Sequence, residues 1–176
     1  IPWRTTNDID WSDYDLVGIR SPWDYHDDPE LFLSVLQKID DSSAVLENSI
    51  DIVRWNIDKI YLRELEQQGV TIVPTVWRDK LSSNKQLVSS SSSSSNVPLF
   101  TDDVYSLVDS EQIVLKPRIS ANADNTFWLR KESDDLSSTE CVAELTQAFT
   151  HRDFMIQPFM EAIVKEGEFS VFYFNG

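Results

Sequence analysis

The stretch from Tyr14 to Ile39 constrains this chain most. A short aliphatic run, "YDLVGIR", breaks at Ser21 and Pro22, and a helix opening follows in which Asp28 caps free amides and Pro29 takes the first helical position. Behind that opening Leu31, Phe32, Val35, Leu36 and Ile39 recur on one helical face. A buried strand running into an amphipathic helix, with Ala44 to Leu46 as another short strand, predicts an α/β unit over residues 1–50.

The pattern restarts at Asn56. "NIDKIYLRELEQQG" predicts a helix stopped by Gly69 in a left-handed conformation, and "VTIVPT" predicts a strand ended by Pro74. The tract "ENSIDIVRW" crosses the expected domain boundary, which places a second domain over residues 51–176. The seven consecutive serines from Ser89 to Ser95 have no side chain worth burying, so they read as a mobile surface insertion. After them come a short helix in "TDDVYSLV", strands at "QIVLKP" and "NTFWLRK", a helix from Ser137 to Phe149, and strands at "FMIQPFM" and "GEFSVFYFNG". This is an α+β arrangement in which one sheet face remains for a ligand.

Composition narrows the partners. Thirty acidic residues against fifteen Lys and Arg give a net charge of -15, spread along the chain, which disfavours nucleic acid and anionic lipid but leaves room for one nucleotide. Cys141, the sole cysteine, cannot form an internal disulfide and reads as a buried helical thiol. No apolar run reaches the length of a membrane span, and "IPWRTTNDID" has no signal-peptide pattern, so the expected location is cytoplasmic. The missing initiating Met and the ending on a strand-like segment lead us to expect a fragment truncated at both ends.

Lys116 closes the strand Ile113–Leu115. Either it snorkels to water, or it meets an anion together with the small residues Ser120, Ala121, Asn122 and Ala123, whose amides suit phosphate oxygens. Glycine usually serves in such loops, and here Asn122 must take its place. Lys59, near its helix start, reads by itself as a surface lysine. Gln157, Pro158, Phe159 and Met160 offer backbone and stacking area for a purine, or else form a core strand with a proline bend. Glu168 is a carboxylate for sugar hydroxyls or a solvated edge residue. Arg20, Trp23, Asp24 and Tyr25 stand at a strand's carboxyl end, where α/β units bind ligands, and Arg20 suits a substrate carboxylate. Neither "GxxxxGK" nor GxGxxG is present, with only four glycines, and His26 and His151 lack a zinc-ligand pattern. No metal ligand is assigned.

Lys59 in "NIDK", Lys116 in "VLKP", "IQPFM" and "GEFS" occur in an order and spacing that resembles the ATP-grasp superfamily. The segments "IRSPWDY", "RWNIDKIYL", "VLKPRISA" and "IQPFM" look like the glutathione-synthetase-like ATP-binding proteins, including the cyclo-ligases that close cycloserine from an ureido-serine precursor. The resemblance implies a partial ATP-grasp fold, with the end of a pre-grasp α/β domain followed by the subdomains that clamp ATP. It implies that Lys59 and Lys116 touch the phosphates, that the Ser120–Asn125 loop closes over them, that Gln157–Met160 holds adenine and that Glu168 holds ribose. The implied reaction is ATP-dependent carboxylate-amine or carboxylate-thiol ligation through an acyl phosphate, with Mg2+ ligands expected downstream of residue 176 and a homo-oligomer as a possible assembly. The loop departs from the family's glycine-rich pattern. Alternatives are a nucleotide-binding or regulatory protein without turnover, an acidic protein-interaction module, and kinase-like transfer to a hydroxyl.

Overall fold

The computed structural model describes residues 1–5, 9–82, 103–133, 135–167, 169 and 171. Strand β1 (Leu16–Gly18) pairs in parallel with β2 (Val45–Glu47), Val17 opposite Leu46, and α1 (Pro29–Asp40) makes the crossover. The Asp28 carboxylate accepts the Leu31 amide at 3.0 Å and Pro29 opens the helix, as the residue pattern requires. Phe32, Val35, Leu36 and Ile39 bury against Val17, Leu46 and Trp11. The expectation of a buried first strand needs correcting, because Leu16 and Val45 are each 57% exposed. Among the described residues only the face carrying Val17 and Leu46 is covered, and strict alternation leaves their neighbours outside.

Two further helices, α2 (Ile50–Asn56) and α3 (Tyr61–Gln67), replace the single helix expected from Asn56. The Lys59 amide donates to the Arg118 carbonyl at 3.1 Å, and the Asp58 carboxylate accepts the Ile60 amide at 2.9 Å. These bonds divert residues 57–60 into a turn. Gly69 ends α3 at φ +89°, in the left-handed region.

The larger sheet has order β3-β6-β4-β5, built from β3 (Val76–Arg78), β4 (Gln112–Pro117), β5 (Phe127–Arg130) and β6 (Phe154–Pro158), with antiparallel neighbours throughout. The strand expected to end at Pro74 begins beyond it instead. Proline has no amide for a ladder and precedes the edge strand. Short helix α4 (Asp103–Ser106) supplies Val104 and Tyr105 to the core, and α5 (Thr139–Phe149), capped by Ser138, supplies Leu145, Ala148 and Phe149. Cys141 is half-buried beside this core, and burial, followed by Asp135 and Glu144, pushes its thiol up. Helix α6 (Glu161–Glu166) separates the two segments expected to be consecutive strands. The serine tract, Glu168 and most of the strand expected over 167–176 lie outside the described residues.

Phe149 stacks on Phe154 at 4.4 Å and meets Phe127 edge-on at 5.7 Å. Truncating it to alanine should cost about 3–5 kcal/mol in urea unfolding, whereas Leu31→Ala, at a 39% exposed site on α1, should cost under about 1 kcal/mol. Equal losses would mean that the aromatic stack is not the centre of this core.

Candidate functional site

Period-two alternation gives the larger sheet two unlike faces. Ile113, Leu115 and Pro117 of β4 are buried, with Leu129 and Phe127 of β5 and Phe154 and Ile156 of β6 sharing the core face. On the opposite face the same ladders place Lys116 beside Met155, Val114 between Gln157 and Trp128, and Trp77 next to Met155. Lys116 is therefore carried on the face away from α5.

Lys59 reaches the end of this strand from the 57–60 turn. Its Nζ donates to the Ser120 carbonyl at 2.9 Å, the Ser120 Oγ at 2.9 Å and the Arg118 carbonyl at 3.2 Å. Burial, and then the neighbouring charge of Lys116, lower its pKa to about 8 against the attraction of Asp58. The two lysines singled out from sequence are thus brought together, and Lys59 is half-buried rather than a surface group. Since the unfolded chain keeps this proton to about 10.5, it holds more protons than the folded chain between pH 8 and 10.5. The Lys59 contribution to stability therefore rises with pH across that window.

The loop after β4 folds back through residues in the left-handed region, with Asn122 at φ 53°, Ala123 at φ 57° and Asn125 at φ 49°. Asn122 takes the conformation usually left to glycine. Bonds from the Asp124 amide to the Ala121 carbonyl (2.9 Å) and from the Thr126 amide to the Ala123 carbonyl (3.1 Å) close the turn. Among the described residues the amides of Ala121, Asn122 and Ala123 donate no hydrogen bond, so three successive donors are available to an anion. Ser120 is buried, donates to the Pro117 carbonyl at 3.1 Å and accepts the Tyr25 hydroxyl at its carbonyl at 3.3 Å. Asp124 ties down the far side. Burial works against its charge, but hydrogen bonds from Asn125 (2.7 Å) and Arg152 (3.0 Å) prevail and hold its pKa below the usual value. His26 Nδ1 stands 3.7 Å from the same carboxylate.

The stretch Gln157–Met160 is more occupied than the sequence suggests. Gln157 and Pro158 pair with Val114 and Ile113, the Gln157 amide nitrogen donates to Thr75 Oγ1 at 2.8 Å, and the Phe159 amide donates to the Gln112 carbonyl at 2.8 Å. What is open to a base narrows to the Phe159 carbonyl and the Met160 amide, neither hydrogen-bonded among the described residues. Beside them the Phe159 ring stacks on Trp128 at 4.2 Å and 8°, next to a cleft of about 300 Å3 that Gln112, Arg130 and Glu161 also line. At the β1 end Asp24 is engaged by Trp3 Nε1 and Arg4 Nε, each at 2.7 Å, while Arg20 and Trp23 are exposed. Among the described residues no cluster of three or more His, Cys, Asp or Glu is placed to hold a metal, and no helix is long and apolar enough to cross a membrane.

Residues 1–48 match the family described as D-cycloserine synthetase DcsG, N-terminal domain. The cycloserine biosynthesis protein DcsG of Streptomyces lavendulae is 24% identical over 168 residues, covering 96% of this chain and 51% of that protein. The crystal structure of D-cycloserine synthetase DcsG superposes with a TM-score of 0.66 at 20% identity, covering 94% of this chain and 50% of the other. The chain has the fold of that synthetase. It spans about half the length of these relatives, and the ATP-grasp resemblance carried by its motifs points to the same proteins.

Sequence reasoning missed Arg118, Asp58 and Trp128. Arg118 and Asp58 adjoin the motif lysines but gain meaning only when 60 residues of separation close into an ion pair. Trp128 carried a signal, since it alternates with the core residues Phe127 and Leu129 and so had to face the other side. Ala123 in the left-handed region costs on the order of 1 kcal/mol. Ala123→Gly should stabilise the chain by up to about 1 kcal/mol in urea unfolding, and a loss of stability would show that this backbone is not strained.

Proposed function

We propose that this chain is the nucleotide-gripping portion of an ATP-dependent carboxylate-amine ligase that activates a carboxylate as an acyl phosphate, which an amine then displaces. The convergence of Lys59 and Lys116 at the root of a loop with three undonated amides carries this reading. A triphosphate is an anion whose charge suits two neighbouring ammonium groups. The relatives, a cycloserine biosynthesis protein and a D-cycloserine synthetase, support a ligase, and cycloserine formation is the chemistry they suggest for the intact protein.

In this reading Lys59 and Lys116 neutralise phosphate oxygens, and the amides of Ala121–Ala123 donate to oxygens that gain charge during transfer. The Phe159 carbonyl and Met160 amide meet the adenine edge, with the Trp128–Phe159 stack as the neighbouring aromatic surface. Gln157 braces that strand through Thr75, and Pro158 stays in the ladder opposite Ile113. Glu168 is assigned to ribose, and Arg20, with Trp23, to the carboxylate substrate. Asp24 acts through Arg4 and Trp3 by holding that corner in place. Magnesium would shield the phosphates when bound, and among the described residues no cluster of three or more His, Cys, Asp or Glu is placed to hold it.

Calorimetric titration of magnesium-ATP into the full chain should show saturable binding that Lys116→Ala weakens on the order of 100-fold. Absence of binding to the folded wild-type chain would sink the reading. Turnover with a cognate acid in hydroxylamine should trap a hydroxamate, which transfer to a hydroxyl would not yield. A bound phosphate raises the Lys59 pKa, so the complex holds the proton more tightly than the free protein. Affinity should then be flat near pH 7 and fall above about pH 8, by at most about tenfold per unit, with the slope lost in Lys59→Met.

A further inference from the structure

Both phosphate-facing lysines adjoin one ion pair. Asp58 immediately precedes Lys59, and Arg118 follows Lys116 by two residues. The Arg118 guanidinium forks onto Asp58, Nε to Oδ1 at 2.9 Å and one terminal nitrogen to Oδ2 at 2.6 Å, while the other terminal nitrogen reaches Asp153 Oδ2 at 3.1 Å. Its main chain repeats these connections. The Arg118 amide donates to the Asp153 carbonyl at 2.9 Å, and its carbonyl accepts both the amide and the Nζ of Lys59. Asp153 Oδ1 in turn accepts the Lys80 amide at 2.9 Å. Side-chain exposure is 17% for Arg118 and 23% for Asp58, so the pair is shielded enough for its geometry to matter.

We infer that Arg118 is the positioning residue of the site, fixing the turn that bears Lys59 against the root of the 120–125 loop so that two repelling lysines share one anion. The reasoning is electrostatic and geometric. Lys59 and Lys116 push each other apart, and without an opposing tie the 57–60 turn would relax and release Lys59 to water. A bidentate guanidinium–carboxylate fork resists both sliding and rotation, which a single ammonium contact does not. The third contact, on Asp153, anchors the fork to the entry of β6, so the tie is referenced to the same sheet that carries Lys116. The part Lys59 plays with nucleotide rests on the ligase reading, but the fork and its hold on Lys59 do not.

The test is a pH titration of the full chain labelled with 13Cε-lysine, the Lys59 signal being assigned by its loss in Lys59→Arg. The variants are Arg118→Met, Arg118→Lys and Asp58→Asn, with folding checked by circular dichroism. Lys59 should titrate near pH 8 in the wild type and move up by about one unit or more in Arg118→Met and Arg118→Lys, because a released lysine regains its hydration; Asp58→Asn also removes an attraction that raises the Lys59 pKa, so nucleotide affinity is its readout. Magnesium-ATP affinity should drop on the order of tenfold or more in parallel. Arg118→Lys decides the matter should Arg118→Met fail to fold. A folded Arg118 variant with an unchanged Lys59 titration would overturn the inference. Failure of the wild type to bind ATP would remove the ligase reading and leave the titration to judge the fork.

Discussion

The partial burial of Lys59 beside Lys116 is the constraint around which this site is arranged. Bringing two ammonium groups together beside a buried serine is unfavourable in water and worse in a partly shielded pocket. Here the cost is offset by oxygens: two carbonyls and the hydroxyl around Lys59 Nζ, and the Asp58 carboxylate next to it in the chain. The Arg118 fork makes the arrangement rigid by binding the helical α2–α3 turn to the strand end. Such a charge distribution is poised toward positive potential in a chain whose overall charge is -15. The acidic total and the local cations do not conflict, because screening confines each to its own neighbourhood.

The central strand β4 connects this local electrostatics to the global fold. Its buried positions Ile113 and Leu115 are fully excluded from water against the aromatic cluster of α5 and β6, which holds the strand's register firmly. A slip of one residue would drive Lys116 into that cluster and turn Leu115 outward, so the hydrophobic core enforces the direction in which the lysine faces. The N-terminal core, built on α1 and β2, extends through Ile57 to Ile119, immediately beside Arg118. Apolar packing therefore brings the two chain segments within reach, and the ion pair then specifies their alignment.

The loop between β4 and β5 shows how a glycine-poor sequence builds a turn of this kind. Asparagine tolerates the left-handed region, and two asparagines with one alanine make the fold-back that glycines would make without strain. Anchors on both sides hold it: Tyr25 and Lys59 at Ser120, Arg152 and Asn125 at Asp124. A loop restrained in this way presents its amides with less ordering left to do when an anion arrives.

Much of the architecture could be read along the chain, because its signals are local. The Asp28–Pro29 opening, the stripe on α1, the alternation of β4 and the stop at Gly69 each depend on residues a few positions apart. The errors also have local causes that tertiary contacts overrode. Residues 56–60 have a helical pattern, yet the Lys59 amide is taken by Arg118; Leu16 is aliphatic, yet one face of its sheet lacks cover. The motif lysines were visible from sequence, whereas their proximity, the lowered pKa of Lys59, and the roles of Asp58, Arg118 and Trp128 were not. The sequence by itself determined which segments were apolar, charged or tolerant of a turn. Only the tertiary structure decided which charges would meet, because Coulomb energies and hydrogen bonds depend on distances through space, and 60 residues of separation carry no information about a 2.6 Å contact.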